Sequence, residues 1–340
     1  VNEKSAKATS LADFGTMEDL EKAAKEEGAL NVIALPHDWS NYGEVIESFK
    51  KKYPEIKVTE LNPNASSKEE LDAAKTNKGT DAAPDVFDVG QAIAATSTDY
   101  FAPYKVQAWD KIPDTAKDAD GAYYADYTGI MSVGWNADKY GDISSLDDLL
   151  DPKFAGKPAE AGAAFNGYLM ANQLAGGDIN NLQPGLDYFK KLKEAGNLTT
   201  VDVTNGTIDS GQTGVVFDWT YNQASYKKEL KDKGVNWKYK TFPKAQVVSY
   251  YNQAINKDAP HPAAARLWEE YLYTADAQNL WFKGGANPVL LDSMKEDGTV
   301  DQATLKDAIT IEGEPVSYTN DDSTRITEWL QNNWDKTIGN

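Results

Sequence analysis

The chain has 340 residues, 41% hydrophobic and 26% charged, with a formal net charge of −19 and no cysteine. That length supports two cores rather than one, and the balance of apolar and charged residues is that of a soluble globular protein. The missing cysteines exclude disulfides, thiol nucleophiles and thiolate metal sites. The acidity argues against nucleic acid as a partner, because phosphate neutralisation needs clustered Lys and Arg. Spread along the chain, it gives solubility, self-repulsion and a field that favours cations. No run approaches the roughly 18 apolar residues of a membrane span. No signal peptide is visible, so an export signal is expected to have been removed.

In chain order, residues 1–10 (VNEKSAKATS) read as a flexible tether. Met17–Glu27 has helical spacing and stops at Gly28, and the apolar run Ala29–Leu35 has strand length. Tyr42–Tyr53 puts Val45, Ile46, Phe49 and Tyr53 on one helical face, Pro54 ends it, and Ile56–Leu61 is a second strand. Strand, helix and strand in that order imply a parallel pairing. A helix over Lys68–Lys75, a strand over Asp85–Val89 and another helix from Gly90 follow. Tyr123–Asn136 is a long β-rich crossover. Beyond it come helices over Leu146–Leu150, Phe165–Ala175, Leu186–Glu194 and Tyr221–Leu230. Strand-like runs occupy Val201–Val203, Val215–Phe217, Trp237–Phe242 and Val247–Ile255. Pro260 and Pro262 bracket a helix start with an apolar stripe through Ala264, Leu267, Trp268, Tyr271 and Leu272. Thr274 or Asp276 caps a second helix, which stops at Gly284 and Gly285, and the rest is helical. Alternating strands and helices make the class α/β.

Ligands of open α/β sheets bind beyond the carboxyl ends of the strands. That rule selects six segments. Pro36–Tyr42 carries Asp38 and Trp39, with Trp39 in a turn where a ligand-wall role competes with surface packing. Asp88 lies at the end of the third strand, where it pairs with a cation or caps a helix. Asp126–Gly129 carries Tyr127 and Thr128. Phe165 and Asn166 stand at a helix start whose free N–H groups suit an anion. Val215–Asn222 runs a buried strand into Asp218, Trp219 and Tyr221. A carboxylate flanked by ring faces suits an ammonium group, each cation–π contact contributing about 0.5–2 kcal/mol; the alternative is packing and capping. Ser249–Asn252 carries Tyr250. Of the two histidines, His37 reads as a loop residue and His261, between prolines, as exposed. No catalytic triad, nucleophile elbow, zinc-protease helix or phosphate loop is present, so the reading has no catalytic residue, metal ligand or cofactor.

The stretch Tyr251–Leu290 (YNQAINKDAPHPAAARLWEEYLYTADAQNLWFKGGANPVL), the strand DVFDVG at Asp85–Gly90 and the YTG at Tyr127–Gly129 resemble the solute-binding proteins that feed ABC importers. The nearest subgroup takes up polyamines, ferric iron and aminoethylphosphonate-like compounds. The resemblance implies a two-lobed type II periplasmic-binding-protein fold. Lobe one is expected over 11–125 plus 255–340 and lobe two over 137–245, with hinge crossings near 126–136 and 246–254. It implies an extracellular or periplasmic monomer, lipid-anchored in its native form. Such a protein captures a small amine-bearing solute between closing lobes and delivers it to ABC permease subunits in the membrane. Two alternatives stay open. Ferric or metal-complex binding draws on Tyr250 and Tyr251, a pair that stands one segment later than in ferric-binding relatives. A glycoside hydrolase would draw on paired carboxylates.

Overall fold

Local capping devices set several helix ends in the two units of the chain. The computed structural model describes residues 2–154, 158–160 and 164–339. One unit comprises residues 1–128 and 249–308; the other comprises 129–248 and 309–340. No described helix is long and apolar enough to cross a membrane.

In the first unit, helix Met17–Glu27 opens on a capping box between Thr16 and Asp19 and closes on Gly28 in the left-handed region (φ 69°). Strands Ala29–Ile33 and Lys57–Leu61 pair in parallel around helix Tyr42–Lys52, as the βαβ order requires. Strand Val86–Gly90 pairs antiparallel with Tyr251–Asn256, which also takes Phe101–Ala102 and Tyr124–Ala125 along its other edge. Helix Pro262–Leu272 lies in the interior: all of its residues are buried, including Arg266, Glu269 and Glu270. Its free N-terminal N–H groups on Ala263 and Ala264 donate to the Glu27 carboxylate at 3.1 and 2.8 Å.

In the second unit, one sheet runs Trp237–Lys240, Met131–Asn136, Val215–Trp219, Pro158–Glu160; only its last pair is parallel. Gly134 in the second strand leaves room for Gln223 and Trp237, whose side chains bond each other at 2.8 Å. A Cβ there would sit 2.1 Å from the Gln223 amide oxygen.

Four expectations are corrected. Residues 2–10 are no tether: Asn2 caps helix Glu3–Lys7, and the buried Arg266 guanidinium donates to the carbonyls of Ala6, Ala8 and Pro262 at 2.9–3.0 Å. Residues 309–340 belong to the second unit, not to lobe one with 255–308. Val316 exchanges backbone bonds with Gln246 and Val248, and Trp334 of helix Asn320–Thr337 packs edge-on against Phe189 at 5.3 Å. Val201–Val203 is not a strand, since Val201 is exposed and its N–H goes to the Thr199 hydroxyl. His261 is not exposed, because Asp85, buried in the core, holds its Nδ1 at 2.9 Å.

Replacing Arg266 by Met removes three hydrogen bonds to carbonyls, two of them buried, at a cost of about 3 kcal/mol or more. Urea unfolding is expected to show that loss, and hydrogen exchange is expected to speed up across residues 2–10. Unchanged exchange there would mean that Arg266 does not hold the segment.

Candidate functional site

Asp88 is the centre of the first unit's polar interior. The strand Val86–Gly90 carries it inward, where it is 6% exposed. Its Oδ2 accepts the Tyr42 hydroxyl at 2.5 Å and the Tyr127 hydroxyl at 3.4 Å. Its Oδ1 is buried with no donor from another side chain or the backbone. Asp126 is tied to it through Tyr127, whose hydroxyl reaches Asp88 and whose N–H reaches Asp126. The Asp126 Oδ1 accepts the Tyr127 N–H at 2.6 Å and its Oδ2 accepts the Gln253 amide at 2.7 Å. The same Gln253 amide also reaches the Tyr42 hydroxyl at 3.3 Å, which ties the two carboxyls into one network.

Rings enclose this pair. The Trp39 indole N–H donates to the Tyr127 hydroxyl at 2.7 Å. Tyr251 stacks on Tyr127 at 5.8 Å between centroids and meets Trp39 edge-on at 5.8 Å. Tyr42 and Tyr127 both pack against Trp281, whose buried N–H has no acceptor. Trp39 and Tyr251 are half-buried and form the rim; Tyr42 and Tyr127 are fully buried. Behind Asp88 lie two more acids. Glu70 accepts the Asp88 N–H at 3.0 Å, and Glu269 is buried with both oxygens unpartnered.

No ion pair among the described residues reaches Glu70, Asp88, Asp126 or Glu269. Burial therefore acts without opposition from a cation. It pushes Asp88 up to about 6 against the pull of its hydrogen bonds. It drives Asp126 well above the carboxylate range, with the negative Asp88 adding to the effect. Glu70 and Glu269 go well up for the same two reasons, burial first and the Asp88 charge second.

The expected site residues divide into two groups. Trp39, Asp88 and Tyr127 meet in this cluster. Thr128 lies beside it, its hydroxyl accepting the Ser249 N–H at 3.0 Å. Tyr250 is in the same unit, its phenol pushed up to about 12 by burial and by Asp292. Asp38 is exposed in the turn, next to His37, which bonds Glu60 at 2.6 Å. The remaining residues lie in the second unit. There Asp218 is buried and already accepts three donors: the Trp219 N–H at 2.7 Å, the Asn222 amide at 3.0 Å and the Tyr226 hydroxyl at 2.7 Å. Trp219 and Tyr221 stack at 6.5 Å, and Gly129 has no side chain because the Tyr221 ring comes within 2.7 Å of where its Cβ would be. Asn166 accepts the Tyr318 hydroxyl at 2.6 Å, and Phe165 packs edge-on against the same ring. The sequence reading did not single out Tyr42, Asp126, Gln253 and Trp281, and it named Tyr251 only for the ferric alternative. Asp126 had a visible signal, an acid directly before the YTG; Tyr42 and Trp281 sit at positions that read as helix packing.

The match to a family model, Bacterial extracellular solute-binding protein, covers residues 83–308. No curated protein matches the chain. Three of the solved structures that share the fold illustrate the range. The binding protein of A. tumefaciens R10 in complex with agropinic acid is 15% identical at a TM-score of 0.66, covering 92% of this chain and 99% of its own. A spermidine/putrescine ABC transporter substrate-binding protein from Streptococcus pneumoniae is 13% identical at 0.63, covering 89% and 98%. Iron-bound HitA from Pseudomonas aeruginosa is 17% identical at 0.62, covering 92% and 99%. The chain belongs to the bacterial extracellular solute-binding protein family and has its two-lobed α/β periplasmic-binding-protein fold.

Acids raised on folding hold protons that the unfolded chain gives up above about pH 4. Their contribution to stability is full below that pH and is lost as pH rises through the folded value, about 6 for Asp88. Asp88→Asn keeps an acceptor for Tyr42 and removes the charge. Thermal denaturation is expected to show the variant more stable than wild type at pH 8, by roughly 1–3 kcal/mol, with the gap closing toward pH 4. A gap that does not change with pH would place the ionisation elsewhere.

Proposed function

We propose that this solute-binding protein captures a small amine-bearing solute, a polyamine or the ammonium end of a zwitterion, and passes it to the membrane subunits of an ABC importer. One observation carries the ligand class: a buried carboxyl, Asp88, with one oxygen lacking a protein donor, set among Trp39, Tyr42, Tyr127 and Tyr251 and without a protein cation. An ammonium group supplies what is missing there. Its N–H donates to the free oxygen, its charge offsets the acids behind, and the ring faces at the rim attract it. The net charge of −19 adds long-range attraction of the same sign.

Asp218 fits the role less well, since three donors already occupy its oxygens. The structural neighbours include a spermidine/putrescine protein, but also one holding agropinic acid and one holding iron. The ligand class therefore rests on the geometry of the Asp88 cluster rather than on likeness. A hydrolase reading gains nothing from the Asp88–Asp126 pair: both carboxyls are buried, and a glycosidase needs room between its two carboxyls for the sugar or a water.

The test is a thermal-shift screen with putrescine, spermidine, 4-aminobutyrate, aminoethylphosphonate and ferric citrate, followed by titration of variants. A ligand that binds only the folded chain stabilises it by about 2.7 kcal/mol at a hundred times its Kd. An amine is expected to give the largest shift. Asp88→Ala is expected to weaken it by about 10–100-fold, Trp39→Ala by about 3–30-fold, and Asp218→Ala by less than either. A shift with ferric citrate alone, or an Asp218 effect larger than that of Asp88, would sink the assignment.

A further inference from the structure

We propose that capture at this site is an exchange: the incoming ammonium takes the place of a proton shared by Asp88 and Asp126, and that proton leaves to solvent. The inference rests on the reading of the Asp88 cluster as an ammonium site.

The geometry asks for the shared proton first. The two carboxyls lie inside the first unit, one 6% exposed and the other fully buried, joined through Tyr127 and through the Tyr42–Gln253 link. Fully ionised, they present Asp88 Oδ1 with no donor at all. The groups packed around them offer no positive charge. Tyr42 comes from helix Tyr42–Lys52, Glu70 from helix Ser67–Thr76, and Tyr127 and Gln253 from the flanking strands; Glu269 comes from helix Pro262–Leu272 and Tyr273 from its end. The phenols already donate or lie near the acids as neutral groups, and the two glutamates, pushed well up by burial, supply no positive charge. One proton between Asp88 and Asp126 fills the empty acceptor and halves the charge of the pair. Each Asp126 oxygen takes one donor, Tyr127 N–H or the Gln253 amide, and keeps a lone pair for that proton.

An ammonium supplies both things the proton supplies, a donor and a positive charge. Before capture the pair carries −1 and the ammonium +1. After capture the pair carries −2, the bound ammonium +1, and one proton in solvent +1. Charge and atoms balance with no other reactant. Linkage then sets the pH response. A site that releases one proton per ligand tightens about tenfold for each unit of pH over the range where the free pair holds its proton. It also favours an ammonium with N–H groups over a fully methylated one, which brings charge but no donor.

The test is calorimetric titration of putrescine into the wild-type protein at pH 6 and 7, in phosphate and in imidazole. The two buffers differ in ionisation enthalpy, so the difference in observed heat counts protons. Putrescine keeps both of its own protons there, with amine pKa values near 10. The exchange predicts about one proton released per putrescine and an affinity about tenfold higher at pH 7. Binding with no proton release and no pH dependence overturns the exchange and leaves the ammonium site standing. No heat and no thermal shift from putrescine or spermidine overturns the ammonium reading, and the exchange with it. Asp126→Asn gives a second readout without ligand. It has no proton to share, so its stability is expected to fall less than that of wild type between pH 5 and 8; an undiminished fall overturns the shared proton.

Discussion

Four carboxyls, Glu70, Asp88, Asp126 and Glu269, are buried in the first unit with no cation beside them. An isolated ionised carboxylate is too costly to bury, so such groups hold protons or await a counter-charge. Much of the surrounding structure serves that constraint. Three elements deliver hydroxyl or amide donors to the pair, through Tyr42, Tyr127 and Gln253. Strand Tyr251–Asn256 holds both flanks, pairing with the strand of Asp88 on one side and with Tyr124–Ala125, next to Asp126, on the other. The aromatic rings exclude water from the acids and give the rim a surface that attracts cations.

The same unit shows how such buried charges are handled when they are structural. Arg266 is as buried as Asp88, yet each of its bonds ends on a backbone carbonyl and its role is to fix the segment near Ala6 and Ala8. Glu27 is matched to two N–H groups at a helix start, and Asp85 to His261 and to the Asn31 N–H. Glu270 takes Tyr104 and the Gln107 N–H. These acids are satisfied. Among the described residues, Asp88 Oδ1 and the two Glu269 oxygens are the buried carboxyl oxygens without a partner.

The α/β class and most elements were legible because apolar period and punctuation agree locally. Gly28, Pro54 and the Pro260–Pro262 bracket end or begin helices for reasons that need no tertiary partner. The errors lie where a distant partner decides. The first ten residues look like a tether because nothing local reveals that Arg266 holds them. Residues 309–340 follow lobe-one helices in sequence, but Gln246, Val248 and Phe189 draw them to the second unit. Likewise Trp39, Asp88 and Tyr127 stand out in sequence as polar or aromatic groups at strand ends. Tyr42 and Trp281 follow helical spacing, and only the fold brings the Tyr42 hydroxyl to an acid 46 positions away and the Trp281 ring against Tyr42.

The measurement that tests the central claim most directly is a crystal structure of the protein grown with putrescine. The account predicts an ammonium nitrogen within about 3 Å of Asp88 Oδ1, beside Trp39 and Tyr251. Putrescine held at Asp218 with Asp88 untouched would contradict it.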